Sequence, residues 1–541
     1  MEEKLYSRNF KRWGMDMNPV VSLGAGMIVL LFSGFALLNL EQAKVVFAGV
    51  KDAIVGNFDW LFILSSNFFI GISLFLAFSR LGSVRIGGVN AEPEFSNFAW
   101  YSMLISAGMG IGLMFWAVGE PLYHAAFTPP IFKDVNGMKQ ALATTFFHWG
   151  LHPWGIYALI SLALAFFTYN KKLPLSLRSV FYPLLKDKIF GFWGDLIDIL
   201  AVVACLFGLA TSLGLGVQQI NSGLNYLFGI EISVMTQVLL IAIITGIATL
   251  SVVSGIDKGV KFLSELNIKM AFVFMMAVLI LGPTAFILKT FSNSLGLYLN
   301  NFVKASFFIS AGEDSWQGSW SVFYLAWWIS WSPFVGMFIA RISKGRTIRE
   351  FVLAVLIIPS LLSFVWLSVF GGTAMHLNQL FNGQLFATVQ NNLPVALFEM
   401  IEYLNIPFLQ GVIRIALSVL GTLLVVSFFV TSSDSGSLVV DNITSSGKID
   451  SPIPQRIFWA CMEGFIAAVL LLIGGKEALS ALQTAVISTG LPFAIILTLV
   501  GFLLLDSIKK SYKKQKKIKD RDHFEEMIEV FEIQKEESGV A

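Results

Sequence analysis

The sequence predicts an all-α polytopic membrane protein with twelve transmembrane helices, and three observations predict it. Hydrophobic residues make up 56% of the 541 positions and charged residues 13%, against roughly 25% charge in a soluble domain. The apolar residues fall into twelve runs close to the length of about 20 residues that crosses a bilayer. Two of those runs are interrupted, one by clustered glycines and one by a proline, where a helix built only to span needs neither. Other classes are excluded by the same figures. A net charge of +2 gives no electrostatic footprint for nucleic acid. The only two cysteines, Cys205 and Cys461, lie in apolar runs, so there is no disulfide framework and no thiolate metal cluster.

The elements follow in order. A polar, basic stretch from Met1 to Asn18 precedes the run 19–40. No small-residue cleavage site follows, so this reads as an anchored first helix and not a signal peptide. The later runs are 57–79, 96–118, 141–168, 195–215, 231–252, 264–288, 318–340, 350–371, 411–432, 456–473 and 484–506. An even number of crossings puts both termini on one side. With the N-terminus inside, the inner segments carry 28 Lys and Arg and the outer loops 7. The positive-inside rule then places both termini in the cytoplasm of a plasma or inner membrane. Between the seventh and eighth runs, Leu295, Leu299, Phe302 and Val303 recur at helical spacing beside Asn293, Asn300 and Asn301. Segment 291–310 is therefore expected to lie as a helix in the outer interface. Lys509 to Lys519 holds seven lysines, after which the chain turns acidic. Those lysines would attract anionic lipid at about 1 kcal/mol each; a plain positive-inside anchor explains them equally well.

Chemistry is expected where the apolar pattern breaks. In Ser106–Pro121, Gly108, Gly110 and Gly112 alternate at a spacing that suits no helix face, and each weakens a helix by about 1 kcal/mol relative to Ala. Unwound backbone at membrane depth is tolerated where it lines a cavity. Gly108 and Gly112 alone would also fit a small-residue packing face. In Phe323–Phe334, Trp327 and Trp331 share a face with Phe323, Trp328 stands beside them, and Pro333 follows. Such a cluster can be ordinary packing. It can also be an aromatic box for a quaternary ammonium group, held by cation–π attraction. His148 and His152 stand four apart, but HExxH is absent, so the pair is not read as a metal site. Trp149, Trp154 and Tyr157 fit better as further walls of the box. Thr431 and Ser432 offer hard oxygen donors suited to a small cation, although such hydroxyls also bond helix carbonyls routinely. Asp434 is expected to close a local network with Ser435 and Ser437.

Together these runs resemble the betaine/choline/carnitine transporter family. The matching stretches are Ala107–Gly112, Glu120–Pro121, His148–Trp154, Ala326–Gly336, Ala340–Ser343 and Thr431–Ser435, in the family's order along most of the chain. The resemblance implies a non-enzymatic, alternating-access transporter, usually a homotrimer, with a leucine-transporter-type five-helix inverted repeat preceded by two extra helices. On that plan, 1–95 holds the cytoplasmic N-terminus and two peripheral helices. Residues 96–290 form the first repeat, 291–317 the interfacial helix, 318–506 the second repeat and 507–541 the charged tail. Trp327, Trp328 and Trp331, with Phe323 nearby, would form the substrate box, and Trp149, Trp154 and Tyr157 would line the same path. A sodium site, with Na⁺ as coupling ion, would use backbone carbonyls of Ser106, Met109 and Phe428 and the hydroxyls of Thr431 and Ser432.

Members that resemble choline carriers tend to have Asp where Gly112 stands. Glycine there, with Gly110 beside it, keeps the site neutral and leaves backbone N–H groups for a carboxylate. The expected cargo is thus a zwitterion such as glycine betaine, taken up for osmoprotection by sodium symport. Proline betaine, dimethylsulfoniopropionate and ectoine fit by the same logic. A choline or carnitine carrier of the same family, proton-coupled or exchanging, is the alternative. Where relatives build a second sodium site from hydroxyls near Phe334, Cys205 and Leu209 stand here, and neither is a ligand for a hard cation. Thr211 and Ser212 are the nearest hydroxyls.

Overall fold

The computed structural model describes residues 6–108, 110–135, 137–253, 257–310, 315–406, 409–448 and 452–537. Side chains of 251–262, 476, 515, 518–526 and 529–537 lie outside that description. The longer helices are α1 Pro19–Leu38, α2 Leu40–Phe78, α3 Asn97–Gly108, α4 Ile111–Ala126, α5 Lys139–Trp149, α6 Leu151–Ala165, α7 Phe192–Phe228, α8 Val234–Val253, α9 Asp257–Leu281, α10 Thr284–Asn300, α11 Phe323–Arg341, α12 Ile348–Leu380, α13 Gln410–Thr444, α14 Ile453–Gly474 and α15 Ala478–Glu537. Their starts follow capping chemistry. Asn18 accepts from the amides of Val20 and Val21 ahead of Pro19, which satisfies donors that the helix itself leaves free. Thr347 and Glu350 form a capping box at the start of α12.

The twelve apolar runs fall on helices, with 96–118 divided between α3 and α4, 141–168 between α5 and α6, and 264–288 between α9 and α10. Among the described residues, ten helices are long and apolar enough to cross a membrane, or eleven if α3 and α4, bent by 61°, form one span. The run 231–252 becomes a shorter apolar helix over Val234–Leu250. The charged tail continues α15 to Glu537 as helix.

The expected helix at 291–310 is placed differently. Pro283, which has no amide N–H to donate, stands at the N-cap of α10, and Asn301 caps the other end. The buried stripe of α10 is Ile287, Thr290, Ser294 and Tyr298, while Leu299 is exposed. Val303 falls in a separate turn, Phe302–Ser306, and is also exposed.

Burial sorts the helices. The apolar window of α1 is 39% buried, whereas that of the α5–α6 span is 94% and that of α7 83%. The α5–α6 span, α7 and α11, whose window is 78% buried, therefore sit where neighbouring protein surrounds the chain. Here an irregular backbone can be satisfied. At the other face of the molecule the N-terminal segment is tied to the ends of α7, α13 and α14. Arg8 and Arg178 both bond Asp195, and Arg178 also bonds Asp198. The Asn18 amide donates to the carbonyl of Thr444 at 2.7 Å. Burial pushes the Asp16 carboxyl up, but its bonds from Lys448 and Asn9 outweigh this and hold it below its usual range.

Candidate functional site

A small cavity of about 30 Å³ lies where the broken helices meet. Gly110, Gly112, Trp149, Trp154, Tyr157, Trp327, Trp328 and Trp331 all line it, together with Ser212. That is room for a water or two, so a trimethylammonium group enters only if the walls widen.

Each wall has a local cause. Gly110 is extended backbone at the N-cap of α4, with open space where a side chain would stand. At Gly112 an added Cβ would stand 2.8 Å from Trp327 and 3.0 Å from Trp149, so only glycine lets the two indoles close over the backbone. Gly150 breaks α5 from α6; a Cβ there would meet the Phe146 carbonyl oxygen at 2.5 Å. That break leaves the His148 carbonyl among the unpaired acceptors of a helix end, and Trp328 Nε1 donates to it at 3.0 Å. Pro333 deprives the Ile329 carbonyl of its usual partner, and the Ser332 hydroxyl donates to that carbonyl instead at 2.7 Å.

The rings meet mostly edge to face. Trp328 stands 5.0 Å from Trp149 at 86° and 5.7 Å from Tyr157 at 85°, and stacks on Trp327 at 5.8 Å. Phe323 stacks behind Trp327 at 5.5 Å. It backs the box and does not line it. Three buried donors have no partner: Tyr157 Oη, Trp327 Nε1 and Trp331 Nε1. Among the described residues, no acidic or basic side chain lines the cavity.

One acid lies just behind it. Glu120 is fully buried, and its Oε2 accepts from Trp149 Nε1 at 2.8 Å and Tyr324 Oη at 2.6 Å. Its Oε1 lies 2.7 Å from His148 Nδ1. This hub fixes the Trp149 wall. His152 points elsewhere, to Asn67 Oδ1 at 3.1 Å, so the histidine pair at i and i+4 is not a shared site. Trp316 and Trp320 flank the His124 ring, with Trp320 at 4.5 Å.

The cation-site residues are brought together in part. Thr431 donates to the carbonyls of Ser427 at 3.0 Å and Phe428 at 3.3 Å. Asn267 of α9 donates to Thr431 Oγ1 at 3.3 Å and accepts from Ser427 Oγ, a participant that sequence spacing gave no sign of. Ser432 follows Thr431 on α13 and is partly buried. Ser106 is half-buried in the last turn of α3, and no hydrogen bond joins it to Thr431 or Ser432. Met109 lies outside the described residues. In the network expected at Asp434, Ser437 Oγ donates to the Asp434 carbonyl at 3.0 Å. Cys205 and Leu209 are fully buried; Leu209 packs on Gly436. Thr211 donates to the Leu482 carbonyl at 3.2 Å. Ser212 donates to the Gly208 carbonyl at 3.3 Å at the cavity wall.

A multi-pass helical membrane protein with an uncharged aromatic cavity between broken helices has the architecture of a small-molecule transporter, not of an enzyme. The chain belongs to the betaine/carnitine/choline transporter family, whose model matches residues 20–513. It is 48% identical over 509 residues to glycine betaine transporter 1 of Vibrio parahaemolyticus, covering 93% of this chain and 95% of that protein. A glycine betaine/proline/choline/ectoine transporter of the same organism is 47% identical, covering 93% and 89%. A glycine betaine transporter of Acinetobacter baylyi is 42% identical, covering 93% and 75%.

Proposed function

We propose that the protein imports a zwitterionic quaternary ammonium solute, glycine betaine or a close analogue, by sodium symport. One observation carries the zwitterion reading. The described residues of the cavity wall include no charged side chain, and three of them, Tyr157, Trp327 and Trp331, carry unpaired buried donors. Aromatic faces attract the ammonium group, and the unpaired donors gain most from a carboxylate, since buried polar groups without partners are costly. Choline satisfies the faces but offers the donors only a hydroxyl, a weaker acceptor than a carboxylate. Glycine betaine stands in the names of all three relatives, and one of the two from Vibrio parahaemolyticus also names proline, choline and ectoine.

Sodium would bind at Thr431 and Ser432 with carbonyls of Phe428 and, on the family pattern, Ser106 and Met109. Thr431 now bonds two carbonyls of its own helix, and a cation there would replace those bonds. Twelve crossings follow if α8 and the bent α3–α4 pair each span once. Residues 96–290 and 318–506 would then be two inverted five-helix repeats, each opening on an interrupted helix, with the site between them. Both termini would be cytoplasmic, the assembly a homotrimer, and the lysines after Asp506 a contact for anionic lipid. Supply of a compatible solute under osmotic stress is the physiological role.

Competition binding tests the reading. Purified protein is expected to bind labelled glycine betaine, to lose it to excess unlabelled betaine, and to keep it at equal choline. Equal displacement by choline would overturn the zwitterion assignment.

A further inference from the structure

The geometry points to a divalent transition-metal site at Glu120, His124 and His148, on the far side of Trp149 from the aromatic cavity. Glu120 and His124 are one turn apart on α4, and His148 lies at the end of α5. Glu120 Oε1 is 2.7 Å from His148 Nδ1 and 3.4 Å from His124 Nε2. One ligand atom from each residue lies within 4.8 Å of the others. All three side chains are buried, and His124 Nε2, on a residue 1% exposed, has no hydrogen-bond partner. A buried ring nitrogen without a partner costs stability, and here it faces a carboxylate oxygen. Two imidazoles and one carboxylate with an open fourth position form a zinc ligand set. Imidazole nitrogens suit Zn²⁺, whereas Mg²⁺ and Ca²⁺ take oxygen.

The supporting groups are already in place. Trp149 and Tyr324 both bond Oε2 and leave Oε1 for a metal. His148 Nε2 meets Ser321 Oγ at 2.9 Å, which sets the ring's orientation. Such outer partners orient metal ligands and raise affinity. Access exists too. His124 lines a cavity of about 270 Å³ with Tyr123, Trp316 and Trp320, from which water would fill the fourth position. A bound ion would brace α4 against α5 directly behind the Trp149 wall.

Calorimetric titration of Zn²⁺ into metal-stripped, full-length protein tests this without reference to transport. One ion per chain is expected. Affinity should fall at least about tenfold in His124→Ala, and by about 10- to 100-fold in Ser321→Ala, the range for losing an outer partner. His376→Ala should bind as the parent does, since His376 packs on Phe286. Thermal melting checks that each variant is folded, and His124→Gln replaces His124→Ala if the smaller side chain prevents folding. No saturable Zn²⁺ binding by the parent protein, or undiminished binding by a folded His124 variant, overturns the site.

Discussion

Trp328 offers the sharpest probe of the aromatic box. Its ring closes against Trp149 at 5.0 Å, Tyr157 at 5.7 Å and Trp327 at 5.8 Å, so its face is one that a buried ammonium group would meet. A desolvated cation–π contact contributes about 2 kcal/mol, and each 1.4 kcal/mol is about tenfold in affinity. Trp328→Leu should therefore weaken glycine betaine binding roughly thirty-fold. The same change removes the indole bond to the His148 carbonyl, a neutral hydrogen bond worth about 1 kcal/mol. Trp328→Phe separates the two terms, because it keeps a π face and loses only the N–H. The assay is equilibrium binding of labelled betaine to purified protein, with thermal melting to confirm the fold. A dissociation constant unchanged in Trp328→Leu would mean that the indoles are packing and bind no substrate.

Gly112→Asp should abolish or greatly weaken betaine binding in the same assay, because a Cβ there stands 2.8 Å from Trp327 and the new carboxylate repels that of the substrate. Any gain of choline binding would confirm that position 112 faces the cargo. Thr431→Ala combined with Ser432→Ala should remove sodium dependence while the protein still folds. The Hill coefficient for Na⁺ in the parent should be near one, since Cys205 and Leu209 supply no hard oxygen ligand. A value near two that falls to one in Ser212→Ala would assign a second ion to the cavity wall. Arg178→Leu leaves the fully buried Asp198 without its cationic partner, while its bonds from Ser176 Oγ and the residue 178 amide remain. It should lower stability by about 3–5 kcal/mol, read as reduced thermal stability without a change in substrate selectivity.

The apolar runs were legible because a bilayer demands length and composition, both of which are written locally. Trp149, Trp154, Tyr157, Trp327, Trp328 and Trp331 were legible as a group because aromatic clustering beside a glycine or proline break is also local. What escaped depends on long-range approach. Glu120 is recognisable in sequence as an acid in an apolar run, but its partners lie 28 to 204 residues away. Nothing in local spacing connects it to Tyr324. Asn267 meets Thr431 across 164 positions, and its own neighbours give no periodic signal. His148 and His152 satisfy helical spacing, yet Gly150 breaks the helix between them, so the spacing rule does not hold there. The apolar spacing in 291–310 does not mark the helix, because Pro283 sets its start seven residues earlier and Asn301 caps its end.

Sodium-coupled uptake is the central claim, and reconstitution measures it directly. Proteoliposomes holding the purified protein would be given external labelled glycine betaine with an inward Na⁺ gradient, an equal K⁺ gradient, or an inward proton gradient. Betaine carries no net charge, so potential alone cannot concentrate it, whereas each co-transported Na⁺ contributes about 2.3 kcal/mol per 100 mV. Symport predicts accumulation above the external concentration only with the Na⁺ gradient, larger when the interior is negative. Equal accumulation under K⁺ or proton gradients, or exchange without net uptake, would contradict it.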